Sequence, residues 1–367
     1  MKIIFDKNIP FFEEAVKREW QEVEICPMES EEITPSAVRD ADVLVVRTRT
    51  KIDESLLAGS QVRMVCTATI GFDHIDTAYC EANHIRWMSC PGCNAQAVCD
   101  YIEEALDEYL TANFVSGLTA QRSCSEAVLR RSDLSIGVVG VGHVGSLVAQ
   151  MAERKGLKVL LNDPPKGIGV SLDFIAENSD IITFHVPLIK HKLQTTNSSP
   201  LYGGTEGGFE GGFEGFGSTF HLCDEAFLRK CKPGALIINA ARGGVVDEQT
   251  LLASNHPFIL DTWENEPHIN PSVLEKAFLA SMHIAGYSVQ GKRNASQMCL
   301  DAIAELFRLP EINISEYRYI ASTGTSAAAS IQKGDSAPGW LSRISDSLKK
   351  DPTAFESLRR VYPLRGV

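Results

Sequence analysis

The sequence predicts an α/β protein built on two parallel sheets, and three observations carry that prediction. Short apolar runs alternate with helical patterns over residues 1–93. A second series of the same kind starts at Leu134. That second series opens on a glycine-rich turn, GVVGVGHVGS. Strands separated by helical patterns require crossover connections, which is how βαβ units and parallel sheets arise.

In the first series, Lys2–Asp6, Asp42–Val46 and Arg63–Thr67 read as strands, and Phe11–Glu19 and Glu54–Leu57 as helices. Asn94–Thr111 (NAQAVCDYIEEALDEYLT) has helical spacing and suits a connection between two domains. Residues 113–133 have weak periodicity and receive no assignment. The apolar runs at 134–139, 158–162, 180–186, 234–240 and 258–263 read as buried parallel strands, most of them separated by enough chain for a helix. Residues 203–217, GGTEGGFEGGFEGFG, hold eight of the 28 glycines and read as an acidic surface insertion. Residues 319–339 are rich in Ser, Ala and Gly, like a linker. Residues 340–367 carry six Lys/Arg against three Asp/Glu and form a small basic appendage.

Composition narrows the function. The chain is 44% hydrophobic and 22% charged, enough apolar residues to bury a sizeable core. Its 35 Lys+Arg against 47 Asp+Glu give a net charge of −12, which argues against a nucleic-acid partner. A small anionic substrate needs only a local cluster of cations. No stretch approaches the roughly 18 apolar residues of a membrane span, and MKIIFDKNIP turns polar too soon for a signal peptide. A cytoplasmic protein is expected. The ten cysteines, such as Cys66 and Cys299, lie mostly within apolar runs and read as buried thiols. Cys90-Pro-Gly-Cys93 has no second C-x-x-C to complete a zinc site, so no metal centre is expected.

The clearest chemical signal is Gly140, Gly142 and Gly145 in G-x-G-x-x-G spacing. The motif follows an apolar strand and opens a helical pattern containing His143 and Val144. A second strand then ends at Asp163. The glycines permit the tight turn, backbone approach to a pyrophosphate and close helix–strand packing. Asp163 would accept from the ribose hydroxyls and repel a 2′-phosphate, favouring NAD over NADP. Lys166 softens that preference without reversing it.

Downstream come NAARGGVVD, LDTWENEP and HIAGYS. With VRTRTKIDESLLAG, CTATIGFDHID and CPGCNAQAV, these strings resemble the D-isomer-specific 2-hydroxyacid dehydrogenase family, over roughly two-thirds of the chain. Within it the likeness is greatest to members acting on a phosphorylated 2-hydroxy acid. The resemblance implies two Rossmann-like or flavodoxin-like parallel-sheet domains with a cleft between them, plus the C-terminal appendage. Residues 1–93 and 283–309 would bind substrate, 94–282 would bind NAD, and 310–367 would serve dimerisation of a homodimer.

The resemblance also assigns residues. Arg242, Glu266 and His283 would be catalytic. Arg242 would hold the substrate carboxylate by a bidentate pair. His283 would exchange the hydroxyl proton, and Glu266 would orient its imidazole. Val186, Ala240, Ala241, Asp261 and Gly286 join the cofactor set, with Asp261 matching a nicotinamide-amide contact. Val186 stands where the family usually has Thr. Thr48, Thr69 and Tyr287 match substrate positions. Arg47 and Arg49, reinforced by Lys292 and Arg293, would suit a distal phosphate. Two other readings stay open: a dehydrogenase of an unphosphorylated, glycerate-like acid, and a non-enzymatic NAD-sensing interaction protein.

Overall fold

The structure, a computed structural model, describes residues 1–115, 133–190, 217–318 and 339–362. Most of the Gly-Phe-Glu insertion and the Ser/Ala/Gly segment lie outside them. Two compact units form: residues 1–97 with 286–318, and residues 98–285 with 339–362.

In the first unit, β1 (Lys2–Asp6), β2 (Glu24–Met28), β3 (Val43–Val46), β4 (Met64–Thr67) and β5 (Arg86–Met88) pair in the order β2-β1-β3-β4-β5. Every pairing is parallel. Side chains alternate across the sheet. Ile3, Phe5, Val43, Val45, Met64 and Cys66 enter one core, and Ile4, Leu44, Val46 and Val65 enter the other. Helices α1 (Phe12–Glu19) and Val289–Phe307 cover the first face. Short helices α2 (Glu54–Leu57) and α3 (Thr77–Ala82) contribute to the second. The order reverses between β1 and β3, the switch point at which ligands collect in such sheets.

In the second unit, β6 (Ser135–Val139), β7 (Lys158–Asp163), β8 (Ile168–Gly169), β9 (Ile181–Phe184), β10 (Leu236–Asn239), β11 (Phe258–Leu260) and β12 (Leu279–Ala280) form one sheet. Its order is β12-β11-β10-β9-β6-β7-β8, with only the β7–β8 pairing antiparallel. The switch point falls between β6 and β9. Continuous burial along β6, β9, β10 and β11 explains their near-uniform apolar sequences. The helix Ala95–Val115 starts in the first unit and continues into the second.

Two boundaries differ from the sequence reading. His283 stays with the second unit, because Asp261 accepts from the backbone N–H groups of Ile284 (2.7 Å) and Ala285 (3.0 Å). Residues 339–362, expected within a third unit, pack into the second. Glu108 accepts from Leu341 and Ser342 N–H at 3.1 Å, capping the helix Trp340–Lys350. Ser345 on that helix accepts from Ala280 N–H at 3.1 Å. The described cysteines are all free, and eight of the nine are buried. Among the described residues, no helix is long and apolar enough to cross a membrane.

Candidate active site

The glycine turn sits at the switch point of the second sheet. Gly140, at φ +90°, lies so close to β9 that a Cβ would stand 2.6 Å from the His185 carbonyl oxygen. A Cβ on Gly145 would reach 1.9 Å from the Gly140 carbonyl, so both positions need glycine. A Cβ on Gly142 would meet nothing within 4 Å, which leaves its side of the turn open to a ligand. Gly142 caps the helix His143–Arg154; His143 is exposed and Val144 half-buried. Val186 is buried against Gly140.

Asp163 closes the turn from β7. One carboxylate oxygen accepts from Val141 N–H at 2.8 Å, while the other is buried with no protein partner. Lys166 donates to the Val141 carbonyl at 2.9 Å, so Val141 is held through both its N–H and its C=O.

The catalytic candidates occupy loops leaving β10, β11 and β12. Asn239, at the end of β10, accepts from Ala241 N–H (3.1 Å) and donates to the Arg242 carbonyl (2.9 Å), shaping the Ala240–Arg242 turn. The Arg242 guanidinium donates to the Ala241 carbonyl at 2.7 Å. Glu266 binds two groups at once: Trp263 N–H at 2.9 Å and His283 Nδ1 at 2.8 Å. Burial alone would raise its carboxyl. The His283 hydrogen bond and charge, the Trp263 amide and the charge of Arg359 outweigh burial and hold it below the ordinary value. Arg359, in the basic tail, is therefore part of this electrostatic environment, a role that the tail's composition did not suggest.

His283 has φ +58°, a left-handed conformation unusual for histidine. Asp261 stabilises it. Besides the two amides already described, its carboxylate accepts from the Ser281 hydroxyl at 2.7 Å. All of these described bonds are spent on the polypeptide, so Asp261 shapes the His283 loop whatever it contributes to a cofactor.

Three further residues escaped the sequence reading. His221 Nε2 lies 3.0 Å from Glu264 Oε1, and Glu264 and Glu248 exchange backbone-to-carboxylate hydrogen bonds. Glu248 is 5% exposed, and burial pushes its carboxyl up to about 7 against the Glu264 amide, helped by the charges of Glu264, Glu266 and Asp247. No sequence motif links these positions; the fold brings them together.

The substrate candidates belong to the first unit. Arg47 follows β3 and donates from Nε to the buried Asp6 carboxylate at 2.9 Å, across the β1–β3 switch point. The sequence reading of Arg47 as a solvated or phosphate-holding cation thus omitted its partner. Thr48 and Arg49 are exposed. The Thr69 hydroxyl shares a 2.7 Å bond with Thr67 and donates to the Gly71 carbonyl at 3.0 Å. Lys292 stands over the Tyr287 ring, 5.2 Å from its centroid. Arg293 donates to the Tyr317 carbonyl at 2.9 Å. Gly286 packs so tightly on Asn94 that a Cβ would meet its Nδ2 at 2.1 Å.

A dinucleotide turn followed by an arginine loop and a carboxylate-backed histidine defines a dehydrogenase-type site. The chain belongs to the D-isomer specific 2-hydroxyacid dehydrogenase family, whose catalytic-domain model it matches over residues 3–313. Among its relatives, erythronate-4-phosphate dehydrogenase of Bacteroides fragilis is 40% identical over all of this chain and 97% of its own length. The enzyme of the same name from Bacteroides thetaiotaomicron is 39% identical over the same shares. The fold resembles that of NAD+-bound 3-phosphoglycerate dehydrogenase from Entamoeba histolytica, with a TM-score of 0.61 and 24% identity over 87% of this chain and 99% of that one.

Proposed function

We propose that this chain oxidises 4-phospho-D-erythronate to its 2-oxo acid with NAD, a step in pyridoxal 5′-phosphate biosynthesis. The observation that carries the reading is the 2.8 Å bond between His283 and Glu266 in a member of this family. The full-length likeness to erythronate-4-phosphate dehydrogenases supports the particular acid.

The residues fit the cofactor. The unpartnered Asp163 oxygen suits a ribose hydroxyl, and the open side of Gly142 suits a pyrophosphate. NAD, when bound, supplies the hydride acceptor. Glu266 takes the Nδ1 proton of His283 as a hydrogen bond, which leaves Nε2 to accept the substrate hydroxyl proton. As His283 becomes charged, Glu266 stabilises the imidazolium. Arg242 holds the C1 carboxylate through its planar guanidinium. Arg49 and Lys292, with the remaining donors of Arg47, are assigned to the distal phosphate, and Thr48, Thr69 and Tyr287 to the chain hydroxyls. Assembly as a homodimer in the cytoplasm belongs to the same reading and rests on family resemblance.

The test is a substrate screen of the purified chain, followed through NADH absorbance. Turnover of 4-phospho-D-erythronate but not D-glycerate is expected. Preference for D-glycerate would replace the substrate, and no turnover with either acid despite bound NAD would favour a sensing role.

A further inference from the structure

We propose that Glu248, working with Glu264, is a positioning residue that fixes the Arg242 loop against the loop carrying Glu266. The proposal rests on the oxidation chemistry assigned above to Arg242, Glu266 and His283.

The grip is on one peptide group, Trp263–Glu264. Glu248 accepts from Glu264 N–H at 2.7 Å, and Glu264 returns the contact by accepting from Glu248 N–H at 3.1 Å. The Trp263 carbonyl lies directly against Gly243, where an added Cβ would stand only 1.8 Å from the oxygen. Gly243 is the residue after Arg242, so the two catalytic loops touch backbone to backbone. The adjacent amide, Trp263 N–H, is the one that orients Glu266. A short chain of contacts thus runs from Glu248 through this peptide to Glu266 and His283.

The remaining side of the clamp is closed by His221. Its N–H donates to the Gly244 carbonyl at 2.7 Å, while its ring meets Glu264 at 3.0 Å and stacks on Phe220 at 3.8 Å. His221, Asp247 and Glu264 also lie close enough to suggest a cation site. Their atoms already serve the fold, however: Asp247 accepts from Gln249 and Thr250 N–H to cap the following helix, Glu248–Ala253. The His221–Glu264 bond and the Glu248 N–H bond to the same Glu264 oxygen belong to the clamp, and no cation is needed to account for them.

This assignment separates position from chemistry. Misplacing a reacting group by about 1 Å costs roughly a hundredfold in rate. Glu248→Ala should therefore lower kcat about tenfold to a hundredfold with NADH affinity close to that of the parent, and should lower the melting transition because Glu264 N–H loses its acceptor. Glu248→Gln keeps an oxygen for Glu264 N–H and should recover most of the loss. Glu264→Ala, a half-exposed change that leaves its own backbone N–H in place, should lower kcat in the same direction if Glu248→Ala folds poorly.

The assay uses the full chain with NAD and 4-phospho-D-erythronate. Parental kcat in Glu248→Ala and Glu264→Ala would overturn the clamp, as would a Gln variant no better than Ala. Absence of turnover in the parent chain would instead overturn the proposed function, so the two failures are distinguishable.

Discussion

Glu266 and His283 meet at 2.8 Å although each is also anchored by the backbone of its own loop. Trp263 N–H fixes the Glu266 carboxylate, and Asp261 fixes the loop behind His283 through Ile284 and Ala285. The pair is consequently built into the second unit before any ligand arrives. Preorganised partners of this kind avoid the cost of reorganisation during proton transfer.

His283→Ala should abolish turnover while leaving the dinucleotide turn intact. General acid–base catalysis contributes about a hundredfold to ten-thousandfold, and kcat should fall by that order. Glu266→Gln should cause a smaller loss, because the amide can orient the ring without neutralising its charge. NADH fluorescence titration should report parental affinity for both variants. Unchanged turnover in His283→Ala would remove it from proton transfer.

Asp261→Ala tests the loop rather than the chemistry. The substitution strands the N–H groups of Ile284 and Ala285 in a buried region, while the Ser281 hydroxyl keeps the Tyr101 hydroxyl as a partner. Each unsatisfied buried group costs about 1–3 kcal/mol, so denaturant unfolding should show a loss of a few kcal/mol. Asp261→Asn, which keeps an acceptor for some of these donors, should fall between. A parental unfolding midpoint in the Ala variant would refute this account.

Arg47 and Arg49 make different predictions despite their proximity in sequence. Arg49→Ala should reduce kcat/KM for the phosphorylated acid at least about tenfold more than for an unphosphorylated analogue, since charge-assisted bonds are worth about 1.5–3 kcal/mol. The double variant with Arg47→Ala should widen that gap; equal losses on both acids would remove the phosphate role. Arg47→Ala should also destabilise the protein. Burial raises the Asp6 carboxyl, but bonds from Arg47 and Ser30 bring it below the ordinary value. A depressed carboxyl contributes stability above its unfolded value, near pH 4, and loses it as pH falls through the folded value. The destabilisation should thus be present at neutral pH and shrink in acid.

The contrast between those two arginines shows what the sequence could reveal. Gly140–Gly145 and Asp163 were legible because strand, turn, helix and acidic residue follow one another locally. Arg242, Glu266 and His283 are candidates through their order and surrounding strings, and the structure pairs the last two at 2.8 Å. Asp6 and Arg47 are 41 residues apart, and only the crossover order β2-β1-β3 makes them neighbours. Glu248 and Glu264 are paired across 16 residues by the adjacency of β10 and β11. The edge strand β2 was missed for another reason: EICPM is partly exposed and contains Pro27, which an edge position tolerates. His283 was placed in the wrong unit because hydrogen bonding by Asp261 sets that boundary, with no break in composition.

Glu248 gives a pH test independent of turnover. Its carboxyl is raised from 4.5 to about 7, chiefly by burial. The folded chain therefore holds this proton more tightly than the unfolded chain does. That contribution is fully present below the unfolded value, declines as pH rises, and is gone once pH has passed through about 7. Glutamine cannot titrate, yet it preserves the acceptor for Glu264 N–H. The stability of Glu248→Gln relative to the parent should accordingly improve between about pH 5 and about pH 8. Paired thermal melts across that range would measure the difference directly, because pH effects common to both proteins cancel. A difference that stays flat would mean that Glu248 is already ionised in the folded protein at neutral pH. The carboxylates of Glu264, Glu266 and Asp247 would then have to tolerate a fourth negative charge beside them.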